Sequence, residues 1–411
     1  MLLTRGRPRL QPVGAGGPAS IQSLYSWWVA CITLVIASIS FGAVTSIPVL
    51  LKPLASDWQA GASTIALVHT SAMVGAGVGS LLLGRLLDRF GFFGISLLAA
   101  AATGGGLVLA ASASNLLTLH FAYGVLVGGI GQGAFFSPLA AAVSQWFDRH
   151  RALAIALAAC GQSVGGLALP PVLRWSAEAY GWRQTIESYG IAAGLVLCAC
   201  AFAFRRAPPR LSAPGPAHGA TANRTLDRKG FALLGSSMAL SNLAAFIAIG
   251  HLTAFGEEKG FAPAAAAAFV SVMLGATLLL RLSIGPLTIR FGHFRTLVAV
   301  SLVHLAGVVL LALADSQASI ILSVLLIGIG FGGYVPAYAV LVRELFPAAQ
   351  AGRRLAEIYF FAFLAAGGGS WVGGITRDAS GSYALPFAVA AVCAATGVLL
   401  LLSLSGRFRQ A

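Results

Sequence analysis

Twelve apolar runs, each about 20 residues or more and separated by short polar stretches, leave this chain one class of architecture, a bundle of membrane-spanning helices. The runs lie near 26–50, 64–86, 92–113, 115–140, 152–175, 184–204, 230–255, 262–288, 295–314, 318–342, 354–376 and 383–404. Only 9% of the 411 residues are charged and 58% are hydrophobic, whereas soluble domains carry about 25% charged residues. That composition excludes a soluble enzyme, a disordered chain and a collagenous one. The expected fold class is an all-α membrane protein of twelve transmembrane helices.

Charge placement sets the expected orientation. Twenty of the 26 basic residues fall in the tails and on one set of loops. Five (Lys52, Arg174, Arg183, Lys259 and Arg377) fall on the other set, and Arg281 alone lies inside a run. Basic residues accumulate on the cytoplasmic side, so both termini are expected in the cytoplasm, in a bacterial inner membrane. The net charge of +14 is thereby assigned to topology, and no nucleic acid partner is expected. Residues 1–25, with Arg5, Arg7 and Arg9 among Pro and Gly, read as a cytoplasmic tail and not a cleavable signal peptide. The polar stretch 205–229 reads as a linker between six-helix bundles at 26–204 and 230–404, with 405–411 a second tail. Cys31, Cys160, Cys198, Cys200 and Cys393 show no metal spacing. Neither metal nor cofactor is expected.

The halves repeat. GRLLDRFG (Gly84–Gly91) pairs with GPLTIRFG (Gly285–Gly292), GIGQGAFF from Gly129 with GIGFGGYV from Gly328, and EAYGW around Gly181 with DASGS around Gly381. Their offsets all lie near 200 residues and in one order. Parallel six-helix repeats place a substrate site at mid-membrane between the halves, with rocking of the halves giving alternating access.

GRLLDRFG between spans 2 and 3 resembles the loop signature of the major facilitator superfamily, and the resemblance spans all twelve runs. The signature, Gly84, Asp88, Arg89 and Gly91, would make a tight turn at the membrane face: Gly84 would permit close helix approach, and Asp88 would accept from Arg89 or from the N-terminus of a neighbouring helix. In the second copy Ile289 replaces the aspartate, so the charge clamp is kept only in the first half. Within that superfamily the chain is similar to the monocarboxylate transporters and the oxalate/formate antiporter-like bacterial branch. The residues that carry this are WWV at Trp27, SFGAVTSIPVL from Ser40, QWFDRHRALAIALAACGQSVGG (Gln145–Gly166), YGWR (Tyr180–Arg183), Arg281 and DASGSY. The resemblance implies a secondary transporter, a symporter or antiporter of a small organic anion, functional as a monomer. Two departures matter: Thr45 stands where the animal carriers have a span 1 lysine, and Thr277 where they have an aspartate one turn before Arg281. The coupling pair is therefore missing, and protons or a counter-anion remain open as the coupling partner.

A charge near a span centre costs about 2.5–3.5 kcal/mol, so Arg281 should face a wet cavity, though snorkelling to the interface competes with that reading. Its planar fork suits a carboxylate. Span 11 holds no second cation, and one anchor implies one carboxylate. Tyr334 and Tyr338 share a helix face, and the resemblance makes them substrate-contacting aromatics; packing is the competing role. Tyr123, with Phe135 and Phe136 deeper, and Asn242, Gln162 and Ser163 are further lining candidates, or bond between helices. His69 is the proton-coupling candidate because it titrates near neutrality, against an interhelical hydrogen bond. His120 and His251 are expected near the outer interface, and Glu187 and Glu357 are expected in interfacial pairs with Arg183 and Arg354. The expected function is secondary transport of a small monocarboxylate. A proton-driven exporter of amphipathic compounds is the alternative, and an enzyme is not expected.

Overall fold

The computed structural model describes residues 23–147, 150–206, 226–346 and 348–408, and among them there is no β-strand. Twelve apolar helices cross the molecule. The first six are α1 (Leu24–Val49), α2 (Ala62–Leu87), α3 (Phe90–Ala111), α4 (Leu116–Gln132, continuing as Ser137–Ser144), α5 (Arg151–Tyr180) and α6 (Trp182–Ala201). The second six are α7 (Arg228–Glu258), α8 (Pro263–Phe291), α9 (His293–Ala312), α10 (Gln317–Leu345), α11 (Ala348–Ser380) and α12 (Ala384–Ser403). An even number of crossings puts the start of α1 and the end of α12 on one face, called here the terminal face. Most of the 205–229 linker lies outside the described residues.

Eleven of the helices are long and apolar enough to span a bilayer, whereas α4 is interrupted. Ala122–Gln132 is wound as a π-helix instead of the expected regular α-helix. The wider turn goes with a close helix contact: Gly75 and Gly79 of α2 lie against the Gly124 and Gly129 carbonyls of α4, and Gly128 of α4 against Ala72 of α2, where a methyl group would strike backbone. Large apolar side chains such as Leu279, Ile289, Leu195 and Val392 point outward, as lipid contact requires.

The repeat is visible in the backbone. The chain breaks helical geometry at Gly91 (φ 67°), where α2 passes into α3, and at Gly292 (φ 83°), where α8 passes into α9, with ψ near 150–165° at both. Gly181 and Gly381 turn α5 into α6 and α11 into α12 in the same way. That region of backbone space is closed to side chains, at a cost of about 1–3 kcal/mol. Gly292→Ala is therefore expected to lower the thermal stability of the purified protein by about that amount; an unchanged melting temperature would contradict the assignment. Gly84 does not play the part expected of it. A methyl there meets open space, so close helix approach is not its role in this conformation. The Asp88 and Arg89 side chains lie outside the described residues.

The halves meet chiefly through α2 against α11 and α5 against α8. On the face opposite the termini this contact is closed by polar bonds. The Asp378 carboxylate at the end of α11 accepts from the Ala62 and Ser63 amides (both 2.9 Å) and the Ser63 hydroxyl (2.5 Å), capping α2 from the other half. Arg174 Nε of α5 donates to Glu257 Oε1 of α7 at 2.7 Å, with Lys52 Nζ 3.6 Å from the other carboxylate oxygen. Thr70 of α2 donates to the Gly367 carbonyl of α11 at 2.6 Å. The mid-membrane interface is thus sealed from that side.

Candidate functional site: a chamber between the halves

Toward the terminal face the halves part around a cavity of about 580 Å³. Its walls are the terminal-face ends of α4, α5, α10 and α11, with Arg281 of α8 at its inner end, and they are mostly apolar. Above it sits a smaller chamber of about 70 Å³, bounded by α1, α2, α4, α5, α7, α8, α10 and α11. Phe136, Gln162, Arg281, Val335, Tyr359 and Phe363 line both, so the two are stages of one path.

Arg281 is half-buried, and its side chain turns inward, not along α8 to the surface. Nη1 donates to the Ala159 carbonyl of α5 at 2.8 Å, and the guanidinium carbon lies 5.7 Å from the Phe331 ring centre. Among the described residues it has no ion-pair partner, and no acidic side chain lines either space. The other polar groups are neutral. Gln132 accepts from Ser40 at 2.5 Å, which leaves its amide N–H groups as donors; Asn242 donates to Met238 O at 3.0 Å. Gln162 and Tyr359 complete the polar lining, and Phe41, Phe136, Phe246, Phe331 and Phe363 supply the apolar surface. A single fixed positive charge among carboxamides and rings can hold one anionic group and cover a small apolar body.

The chamber brings together some of the side chains singled out in the sequence and not others. Arg281, Asn242, Gln162 and Phe136 line it. Tyr334 and Tyr338 line neither space: both are fully buried, Tyr334 packs on His304 (5.4 Å) and Phe331 (5.7 Å), and the Tyr338 hydroxyl bonds Ser237 at 2.7 Å. They share a face as the spacing requires, but that face packs inside the second half. Tyr123 likewise bonds Ser46 of α1 at 2.8 Å within the first half. Tyr334→Phe and Tyr338→Phe are accordingly expected to leave the substrate KM unchanged; a severalfold rise in either would return these hydroxyls to the site. Thr45 and Thr277 bond to backbone, Thr277 reaching Gly328 of α10 at 3.0 Å, and neither offers a titratable group. His251, expected near the interface, is fully buried between α7 and α11 and joined to His69 through Ser370. Arg354 pairs with Glu357 at 3.0 Å, but Arg183 pairs with Asp57 at 3.1 Å instead of Glu187. Gln132, Phe331 and Tyr359 were not singled out from the sequence; Gln132, a carboxamide inside an apolar run, carried the clearest signal.

The model for the Major Facilitator Superfamily matches residues 32–353, most of the chain. The chain belongs to that superfamily. It is a multi-pass membrane protein and a secondary transporter of this type, not an enzyme. Among its relatives, monocarboxylate transporter 13 of Rattus norvegicus is 27% identical over 388 residues, covering 92% of this chain and 89% of the relative. MFS transporter asaE of Aspergillus flavus is 28% identical over 374 residues, covering 88% and 82%. Among solved structures, a D-xylose–proton symporter superposes with a TM-score of 0.70 at 18% identity, covering 92% of this chain and 96% of the other. A bacterial homologue of the human lysosomal transporter Spinster, inward-facing and unoccupied, gives 0.68 at 16% identity, covering 93% and 95%. At these identities the two structures establish the fold alone.

Proposed function

We propose that this superfamily member carries a small monocarboxylate by alternating access, with Arg281 as the group that binds the carboxylate. The observation that carries the reading is the unpaired guanidinium at the junction of the two spaces, with no acidic side chain around it. An uncompensated charge in a membrane interior is costly, and a bound carboxylate offsets it with charge-assisted hydrogen bonds. The chamber supports a small cargo. At about 70 Å³, where one water needs at least about 10–15 Å³, the chamber has room for a small solute and not for a bulky one. One cation supports a monocarboxylate over a dicarboxylate. The similarity to monocarboxylate transporters points the same way.

The excess of basic residues on the terminal-face side supports a cytoplasmic terminal face, and a single chain encloses the whole path, which supports a monomeric unit. The bacterial inner membrane rests on the sequence resemblance; the relatives named above are eukaryotic. The structure then represents the inward-open state. A second reading, export of amphipathic compounds, is favoured by one feature, the size and apolar walls of the 580 Å³ cavity. Uptake by proteoliposomes separates the two. Labelled lactate, pyruvate or acetate is expected to enter and to be competed by monocarboxylates far better than by oxalate or succinate. Movement of lipophilic cations with no acid flux would overturn the proposal in favour of export.

A further inference from the structure

The described membrane interior holds a titratable cluster that the anion path does not use. His69 of α2, in the first half, and His251 of α7, in the second, are both fully buried and joined through one residue of α11. His69 Nδ1 is 2.7 Å from the Ser370 hydroxyl, and His251 Nε2 lies 2.8 Å from the Ser370 carbonyl. A carbonyl only accepts, so His251 carries its proton on Nε2 and presents a bare Nδ1. That Nδ1 and His69 Nε2 have no hydrogen-bond partner. The cluster sits about two helical turns below the face opposite the termini, within the α2–α11 contact that seals it. Gly373 and Gly250 leave the room: a methyl at Gly373 would overlap the His251 ring, and one at Gly250 would stand 2.7 Å from the Ser370 hydroxyl.

The charged and titratable groups around the pair are few. Arg377 and Asp378 lie on α11 nearer the surface, Arg377 paired with Glu258 of α7 at 2.7 Å and Asp378 bound to the α2 N-terminus. The Tyr383 ring, from the turn before α12, is 5.8 Å from His251. On the α4 side His120 bonds Ser71 at 3.3 Å. Among the described residues none of these carboxylates bonds either imidazole, and the Asp378 carboxylate nearest His251 is accompanied by the opposite charge of Arg377, so an added proton in the closed contact would have no bonded counter-charge.

We propose that His69, Ser370 and His251 form a proton-binding site whose occupancy opens the face opposite the termini. With the gate closed, a proton on either ring would be a buried, unpaired charge. With α2 and α11 apart, water reaches both rings and they bind protons as ordinary imidazoles do. The open state therefore binds more protons than the closed one, and its population rises as pH falls. If each imidazole titrates near 6.5 in the open state and stays neutral in the closed state, the open-to-closed ratio increases roughly thirtyfold per ring from pH 8 to pH 5, about a thousandfold for the pair. The site would supply the titratable group that Thr45 and Thr277 do not. It goes beyond the carboxylate reading, and its test needs no substrate, so either can fail without the other.

The test is a pair of spin labels at Ser56→Cys and Ala262→Cys, exposed positions on the gated face, one in each half, with the five native cysteines replaced by serine. Distance distributions of the full chain in nanodiscs are recorded between about pH 8 and pH 5. The expected result is a long-distance population that grows by up to about a thousandfold relative to the short one, and whose growth falls to roughly thirtyfold in His69→Gln and in His251→Gln. The absence of any pH response in the unmutated gate overturns the proposal, as does a full-sized response in either folded histidine variant. Should a histidine variant fail to fold, Ser370→Ala keeps both rings and the carbonyl that holds His251, and removes the hydroxyl that holds His69. It is expected to shrink the response, and a full response there also overturns the proposal.

Discussion

Arg281→Ala is expected to raise the KM for monocarboxylate transport at least about 30-fold. Removing one partner of a desolvated, hydrogen-bonded charge pair costs about 2–5 kcal/mol, which raises KM by about 30-fold at the low end and beyond reach at the high end. Arg281→Lys keeps the charge but loses the planar fork, so it should retain weak transport with a raised KM. The fold should survive both, because the guanidinium makes a single hydrogen bond, to Ala159 O, and one ring contact. That bond has a second consequence. Ala159 belongs to the first half and Arg281 to the second, so the anchor is tied across the interface when the chamber is empty. A carboxylate that takes over the guanidinium releases that tie, which links binding to rearrangement of α5 against α8. Kinetics on reconstituted protein check the prediction; an Arg281→Ala carrier with wild-type KM would remove the anchor.

The second large effect is expected at the closed gate. Arg174 and Glu257 are over nine-tenths buried at their side chains and pair at 2.7 Å across the halves. Breaking such a pair from one side costs about 3–5 kcal/mol, and that cost falls on the state in which the pair is shut away from water. Glu257→Ala should therefore shift the equilibrium toward the open gate by roughly two to nearly four orders of magnitude. Arg174→Ala should act less strongly, because Lys52, at 3.6 Å, stays beside the carboxylate. Spin-label distances across the gate and turnover rates report both. The exchanged pair, Arg174→Glu with Glu257→Arg, is expected to restore closure. A Glu257→Ala gate that stays shut would show that the glycine contacts of α2 and α11 hold it without the ion pair.

The architecture was legible in the sequence because its signals are extended. Twelve hydropathic runs and a 200-residue repeat are read over many residues, and the structure returns both, down to matching positive-φ glycines at Gly91 and Gly292. Arg281 was legible for a different reason: one charge in an apolar run has few places to go. The tyrosines were not. Tyr334 and Tyr338 share a face on any helix, but which face meets the chamber depends on the rotation of α10, set by glycine contacts to α8 and α9 such as Gly328 on Met273 and Gly330 on His304. No periodicity of α10 alone encodes that rotation, since the helix is apolar all round. The π-helical stretch of α4 was hidden in the same way, since it coincides with a close approach to α2 that the sequence of α4 alone does not encode. The His69–His251 pair joins residues far apart in sequence through a serine on a third helix, a link that no spacing rule could have shown.

The central claim is that a carboxylate's charge is what this chamber recognises, and competition binding tests it most directly. A labelled acid such as lactate is bound to the purified wild-type protein and displaced with unlabelled lactate or its neutral amide, nearly equal in shape. The amide is expected to compete about a hundredfold or more weakly, and the difference is expected to collapse in Arg281→Ala. An amide that competes as well as the acid in the wild type would contradict it.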